Sequence, residues 1–218
     1  MGKKIKVSDE HKKYDWIVFA TSYLYIARLA CQELLSQRKG KYSKSQDTEF
    51  PYTTPDLFVS ILFNIKHGFE IFVKGLGVFA YGEYTEDHDI HELFTDVKNR
   101  ISSTHFPPDE SPFYDQVTDE ERNAIPTSLD LIEKFVPYFY NIDILKQKMV
   151  GSFIIKDTKN DVFRYPSNKA EIEIDWATIL TTRIFDSDIQ EILGKLVQLT
   201  ELLNATGYTI ARLDRRRK

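Results

Sequence analysis

The side chains best suited to chemistry are concentrated in one stretch of this chain, residues 67 to 94, HGFEIFVKGLGVFAYGEYTEDHDIHELF. The stretch carries five such residues. His67, Glu70 and Lys74 lie in its mainly apolar first half, and His88 and His91 follow a short hydrophilic break. Histidine titrates near neutrality and can move protons or bind metals, and lysine attracts anions. The stretch is therefore an active site, a ligand pocket, or two bundle helices with solvated outer faces.

The polar residues of the first half lie on a helix that is predicted to start at residue 57. They share one side of this helix with three polar residues that precede the stretch. On a helical wheel they occupy one continuous arc of roughly 160°, formed by Ser60, Asn64, Lys66, His67, Glu70 and Lys74. Leu, Ile, Phe and Val fill most of the remainder, so this helix is predicted to be central in a bundle. Two interpretations of the arc stay open, a ligand surface and a solvated face.

The next helix is predicted to open with two histidines three residues apart, His88 and His91, on one face. Two histidines without a third ligand are thin support for a metal site. A helix start explains the same segment, because Asp87 can cap the helix while Asp89 and Glu92 interact with its positive end. The fingerprints of phosphate loops and dinucleotide sites lack their required context. The sequence therefore predicts no metal and no cofactor.

The elements that position these residues are predicted to be mainly helical. Apolar periodicity, caps and breakers indicate bundle helices at about 15–38, 57–80, 87–104, 128–148 and 175–204. Short strands are predicted at about 152–156, 161–165 and 171–174. We expect a single mainly α domain over residues 1–218, an up-and-down bundle of four to five long helices with a small β insertion near 151–174.

Proline and the chain ends add detail to this prediction. A capping box at residues 118–121 starts a short helix that is expected to stop at Pro126, and the following helix is expected to break or kink at Pro137. The lysines near the start and the arginines near the end are interpreted as two solvated, frayed tails.

The bulk composition is that of an ordinary globular protein, with 42% hydrophobic and 28% charged residues among 218. The formal charge of −4 gives no general attraction to nucleic acid or anionic membranes. Cys31 is the single cysteine, which excludes an intramolecular disulfide, and its apolar surroundings predict a core position. Because neither a membrane span nor a secretory signal is recognisable, the sequence predicts a cytoplasmic protein.

Three local patterns follow one another along the chain. One apolar helix contains HGFEIFVKGL, the next opens with HDIHELF, and DVFRYPSN follows at residues 161–168 before a final helix. In this order the patterns resemble the HEPN superfamily (higher eukaryotes and prokaryotes nucleotide-binding domain), over about residues 15–204. The resemblance implies an up-and-down helical bundle that is often dimeric.

The family that the chain resembles contains two functional groups. One consists of metal-independent RNases, common in toxin–antitoxin and phage-defence systems. The other consists of non-catalytic domains that bind nucleotides, nucleic acid or a companion protein. The resemblance therefore implies a nucleotide or RNA ligand, a homodimer, and a possible partner protein such as a nucleotidyltransferase.

The catalytic group carries an arginine followed four to six residues later by a histidine, and Arg100 with His105 is the candidate for that pair. In such RNA cleavage a histidine moves the proton of the attacking 2′-hydroxyl, and an arginine stabilises the charge on the phosphoryl oxygens. Two departures count against the pair. Ile101 stands where the family has a polar residue, and the pair ends the HDIHELF helix, whereas the family's motif belongs to a later helix. Arg164, in the Arg-Tyr-Pro segment, is followed by no histidine.

The sequence thus predicts a non-catalytic HEPN-like domain that binds a nucleotide, RNA or a protein partner. Its expected ligand surface consists of polar side chains that the bundle would bring together: Asn64, His67, Glu70, Lys74, Arg100 and Arg164. A metal-independent endoribonuclease using Arg100 and His105 is one alternative. A structural protein–protein interaction module is the other.

Overall fold

A computed structural model describes residues 2–7, 12–40, 54–103, 118–140 and 186–215. The helices in these ranges are α1 (Lys12–Gly40), α2 (Thr54–Tyr81), α3 (Ile90–Ser103), α4 (Asp119–Glu133), α5 (Phe135–Tyr140) and α6 (Asp186–Arg215). Two short strands, β1 (Lys4–Lys6) and β2 (Glu83–Thr85), pair with each other. The predicted mainly helical fold with a small amount of sheet is confirmed. The strands predicted near 151–174 lie outside the described residues, as do residues 141–148 and 175–185 of the predicted helices.

Helix α2 is the central element, as its wide apolar face predicts. It contacts α1, α3, α5, α6 and β2. Its apolar residues are almost completely buried, including Ile61, Ile65, Phe69, Phe72, Val73 and Leu76. Among the described residues, no helix combines the length and the apolar character needed to cross a membrane.

Two glycines allow α1 to lie close against α2. A Cβ atom added to Gly68 would lie 2.9 Å from the carbonyl oxygen of Ala20, and one added to Gly75 would lie 2.8 Å from the Cβ of Trp16. Real Cβ atoms are not found so close to backbone atoms, so even alanine would push the helices apart.

The β1–β2 pair joins the start of the chain to the end of α2. Gly82 ends α2 with a φ of 69°, and its N–H donates to the carbonyl oxygen of Val78 over 2.9 Å. β1 then pairs antiparallel with β2, with Lys4 opposite Thr85. The prediction that the whole amino-terminal segment is a frayed tail was therefore wrong. The alternation of Lys4, Ile5 and Lys6 is too short to indicate a strand, and the pairing partner lies far along the chain.

The prolines of α4 and α5 also differ from the prediction. Helix α4 continues through Pro126 instead of stopping there, because Ile125, Leu129 and Ile132 are buried on one face and packing outweighs the lost hydrogen bond. The break falls at the turn residue Lys134. Pro137 consequently lies in the first turn of α5, where its missing N–H is not required.

Candidate functional site

Three charged residues on the polar side of α2 are buried. Lys66, Glu70 and Lys74 are 0%, 4% and 8% exposed, respectively. We call these three residues the charged row. Because these three residues are buried, the interpretation of the arc as a solvated face is excluded for them. Buried charged groups require partners that replace water.

Glu70 is the centre of a hydrogen-bonded cluster. Its Oε1 atom accepts a hydrogen bond from Lys74 Nζ, one helical turn away, over 2.8 Å. The same Oε1 atom lies 2.8 Å from Nδ1 of His88. A carboxylate only accepts hydrogen bonds, so this contact places a proton on Nδ1 of His88 and leaves Nε2 for another partner.

His88 is the exposed member of this cluster. Its side chain is 47% exposed, whereas those of Glu70 and Lys74 are 5% and 9% exposed. The ring thus has one nitrogen bound to a buried carboxylate, and the side chain reaches solvent. An orienting carboxylate behind a histidine fixes the direction of the ring and its tautomer.

The backbone of the segment before α3 holds His88 in place. Oδ1 of Asp87 accepts from the backbone N–H of His88 over 2.7 Å and of Asp89 over 3.1 Å. Oδ1 of Asp89 then accepts from the N–H groups of His91 and Glu92. The cap of α3 is therefore Asp89, and the prediction of Asp87 as the cap was wrong, because Asp87 forms its own turn just before the helix begins.

Lys66 extends the buried charges toward α5. Its Nζ atom lies 5.4 Å from the centre of the Tyr140 ring, within the range of a cation–π interaction. The hydroxyl of Tyr140 donates a 2.6 Å hydrogen bond to the Lys66 carbonyl oxygen. Tyr140 thereby satisfies its own hydroxyl and covers the lysine stem.

The two remaining predicted residues on α2 make different contacts. The side-chain amide of Asn64 donates to the carbonyl oxygen of Ser60 over 2.7 Å. The His67 ring is stacked on Phe63 with a centroid distance of 5.4 Å, and it meets Tyr23 of α1 edge-on at 4.7 Å. These contacts assign His67 to aromatic packing between α1 and α2.

Arg100 connects α3 to β2 and to the end of α2. Its Nη2 atom lies 3.0 Å from Oε1 of Glu83, and its Nη1 atom lies 3.7 Å from Oδ2 of Asp96. The guanidinium carbon lies 3.7 Å from the centre of the Tyr81 ring. Every one of these contacts stabilises the fold. Its proposed catalytic partner His105 lies outside the described residues, as does Arg164, so the catalytic pair stays a prediction.

His88 is the residue that the sequence-based site missed. The contact with Glu70 joins residues 18 positions apart on different elements, which helical periodicity does not reveal. One signal was available: the break between α2 and α3 is short, so the start of α3 must return to the carboxyl-terminal half of α2. His91, by contrast, is exposed on α3.

Within the ranges that the structure describes, no three side chains of the metal-ligating types His, Cys, Asp and Glu gather in one place. The comparisons with known proteins add no further identification. No family model, no curated protein and no solved structure matches this chain. The geometry of the cluster and the resemblance noted in the sequence are therefore the grounds on which a function is proposed.

Proposed function

We propose that this chain is a non-catalytic helical domain that binds a phosphate group of a nucleotide or of RNA at His88. The observation that carries the proposal is the partly exposed His88 ring, which the buried carboxylate of Glu70 orients. The resemblance to HEPN domains supports the same class of ligand.

The hydrogen-bonding capacity of the cluster suits a phosphate oxygen. In its protonated form a histidine has two donors, so His88 can donate Nδ1–H to the carboxylate of Glu70 and Nε2–H to a phosphate oxygen. Lys74 bonds to the same carboxylate oxygen of Glu70, so a second cation stands close behind the ring. An anion at Nε2 would thus meet a donor whose direction is fixed before binding, which lowers the entropic cost of association.

Binding is favoured over cleavage by the contacts of Arg100. An arginine that stabilises a phosphoryl transition state must direct its N–H groups at the substrate. The guanidinium of Arg100 contacts Glu83, Asp96 and the ring of Tyr81. Using it for catalysis would require the loss of contacts that join α3 to β2.

Thermal unfolding with AMP and with a short single-stranded RNA tests the proposal, since a ligand that prefers the folded state raises the melting temperature. We expect both probes to raise it at millimolar concentration. His88→Gln should abolish this increase, whereas His91→Gln, an exposed histidine on α3, should retain it. Equal increases in the two variants would contradict binding at His88, and no increase in the wild type would favour the interaction-module alternative.

The RNase alternative has its own test. RNA incubated with the protein in EDTA should stay intact if the domain is non-catalytic. Cleavage that disappears in both Arg100→Ala and His105→Ala would replace the binding proposal with the RNase. Cleavage that persists in both variants would remove this pair from consideration and would still contradict a non-catalytic domain.

A further inference from the structure

Helix α1 exposes large apolar side chains between residues 18 and 29. Five of them are between 45% and 62% exposed: Val18, Phe19, Tyr25, Ile26 and Leu29. With Ser22 they fall within one arc of roughly 120° on the helical wheel. We call these six residues the α1 strip. The opposite face of α1, which includes Ala20, Leu24 and Cys31, is buried in the core.

The spacing within the strip is that of a helix-pairing seam. Val18, Ser22, Tyr25 and Leu29 follow one another at intervals of four, three and four residues. This alternation keeps side chains on the line where two α-helices meet in a coiled coil. Ile26 and Phe19 lie beside the seam and widen it on one side.

We propose that the α1 strip pairs with the same strip of a second copy of this chain, with the two α1 helices antiparallel. In this arrangement Tyr25 of one copy lies opposite the small Ser22 of the other, and Val18 lies opposite Leu29. A two-fold axis generates both contacts twice, as an isologous interface requires.

The antiparallel direction follows from side-chain size and charge. A parallel pair would place Tyr25 against Tyr25 and leave Ser22 opposite Ser22, which combines a crowded layer with an empty one. It would also bring Asp15 beside Asp15, and like charges repel each other. The antiparallel pair separates these two carboxylates along the helix axis.

Two hydroxyls in and beside the strip can be buried without losing their hydrogen bonds. The hydroxyl of Ser22 donates to the carbonyl oxygen of Val18 over 2.8 Å. The neighbouring hydroxyl of Thr21 donates to the carbonyl oxygen of Ile17 over 3.0 Å. A second helix that covers these two hydroxyls leaves both with a partner, which lowers the cost of burying them.

The exposed area matches the requirement of a small dimer. At their exposed fractions, the five apolar side chains offer on the order of 500 Å² per copy, because a large aromatic side chain alone can bury about 150–250 Å². Two copies would bury about 1,000 Å² before flanking residues are included, which is near the lower size of a specific interface. Scattered exposed residues on a monomer do not form such a continuous surface.

Sedimentation velocity over a concentration series tests the interface. We expect the wild type to be dimeric and Tyr25→Glu to raise the dissociation constant about tenfold or more. Tyr208→Glu is the matched control, because Tyr208 is an exposed tyrosine on α6, 73% exposed, outside the strip. A monomeric wild type would overturn the proposal. So would a Tyr25→Glu variant that dimerises like the wild type while its circular dichroism confirms folding.

Disulfide cross-linking tests the direction of the helices. Native Cys31 does not interfere, because burial raises the pKa of its thiol to about 12. Val18→Cys and Leu29→Cys chains should cross-link with each other when mixed, and neither should cross-link alone. Cross-linking of Val18→Cys with itself would overturn the antiparallel arrangement, and so would a mixture that gives no cross-link.

Discussion

Helices α1 and α2 are neighbours of nearly equal length. In most helices charged residues are exposed and large apolar residues are buried, and these two helices depart from that distribution in opposite ways. α2 buries three charged residues, Lys66, Glu70 and Lys74. α1 leaves five large apolar residues in solvent, including Phe19 and Tyr25. Buried polar groups and exposed apolar patches are the informative departures from the ordinary pattern.

The contrast assigns different tasks to the two helices. The buried charges of α2 are held by partners within the chain, and their cluster reaches solvent at His88, so they can present one oriented group to a small ligand. The apolar residues of α1 form a surface without such chemistry, and a second helix would cover it. We therefore propose ligand binding and assembly as separate functions of two adjacent helices.

The largest expected effect comes from breaking the buried cluster of α2. Glu70→Ala would leave Lys74 buried without this carboxylate, and removing one partner of a buried pair costs about 3–5 kcal/mol. Urea unfolding should detect this loss directly. The exposed Glu201→Ala on α6 is the matched control and should change stability by less than about 0.5 kcal/mol.

A double variant sharpens the same test. If the cost in Glu70→Ala arises from the uncompensated charge of Lys74, then Glu70→Leu combined with Lys74→Met should recover much of the stability, because no charge of the pair stays buried. A double variant as unstable as the sum of its single variants would show that the two residues act independently.

The contact between the two helices gives the next largest effect. Gly68→Ala should destabilise the protein by about 1–3 kcal/mol, since the added Cβ would meet the backbone of α1 and overpack the interface. Gly194→Ala on α6 is the control, because nothing lies within 4 Å of the added Cβ. That variant should gain up to about 1 kcal/mol from the better helix propensity of alanine. Thermal unfolding of both proteins should therefore shift in opposite directions.

The smallest effect concerns the pH dependence of the β1–β2 pair. Partial burial raises the pKa of Glu83, but the hydrogen bonds and charges of Lys4 and Arg100 outweigh it and hold that pKa below its ordinary value. A lowered pKa in the folded state contributes stability above the ordinary pKa of glutamate, and this contribution is lost as the pH falls through the lowered value.

Glu83→Gln should accordingly cost about 1 kcal/mol or less at neutral pH, because the group is partly exposed and screened. The difference from the wild type should shrink as the solution becomes acidic. Unfolding measured across the pH range checks this, with the exposed Glu86→Gln as control. A difference that stays constant with pH would exclude the proposed charge interaction.

Sequence patterns predicted the central position of α2, because its apolar residues cover most of the helical wheel. They did not predict that Lys66, Glu70 and Lys74 are buried, since a wheel shows which residues share a face but not which element covers it. The β1–β2 pairing was missed for a related reason. Strand pairs join distant segments, and the alternation of Lys4, Ile5 and Lys6 is too short to identify a strand.

The helix ends show the same limit. Pro126 is a strong local signal for a helix end, but the burial of Ile125 and Leu129 outweighs it. Asp87 and Asp89 are equally good caps by residue type, and only the turn that Asp87 forms with the next two backbone N–H groups distinguishes them. Local propensity therefore predicted the presence of helices better than their ends, because tertiary packing decides between competing local signals.

The direct test of the central claim is the NMR signal of the His88 ring at constant pH while AMP is added. The account predicts that the His88 resonances shift and saturate, while those of the exposed His91 ring stay in place. It also predicts that Glu70→Gln, which weakens the orienting contact, reduces the affinity. Unchanged His88 resonances at saturating AMP, or equal shifts of both histidines, would contradict a phosphate site at His88.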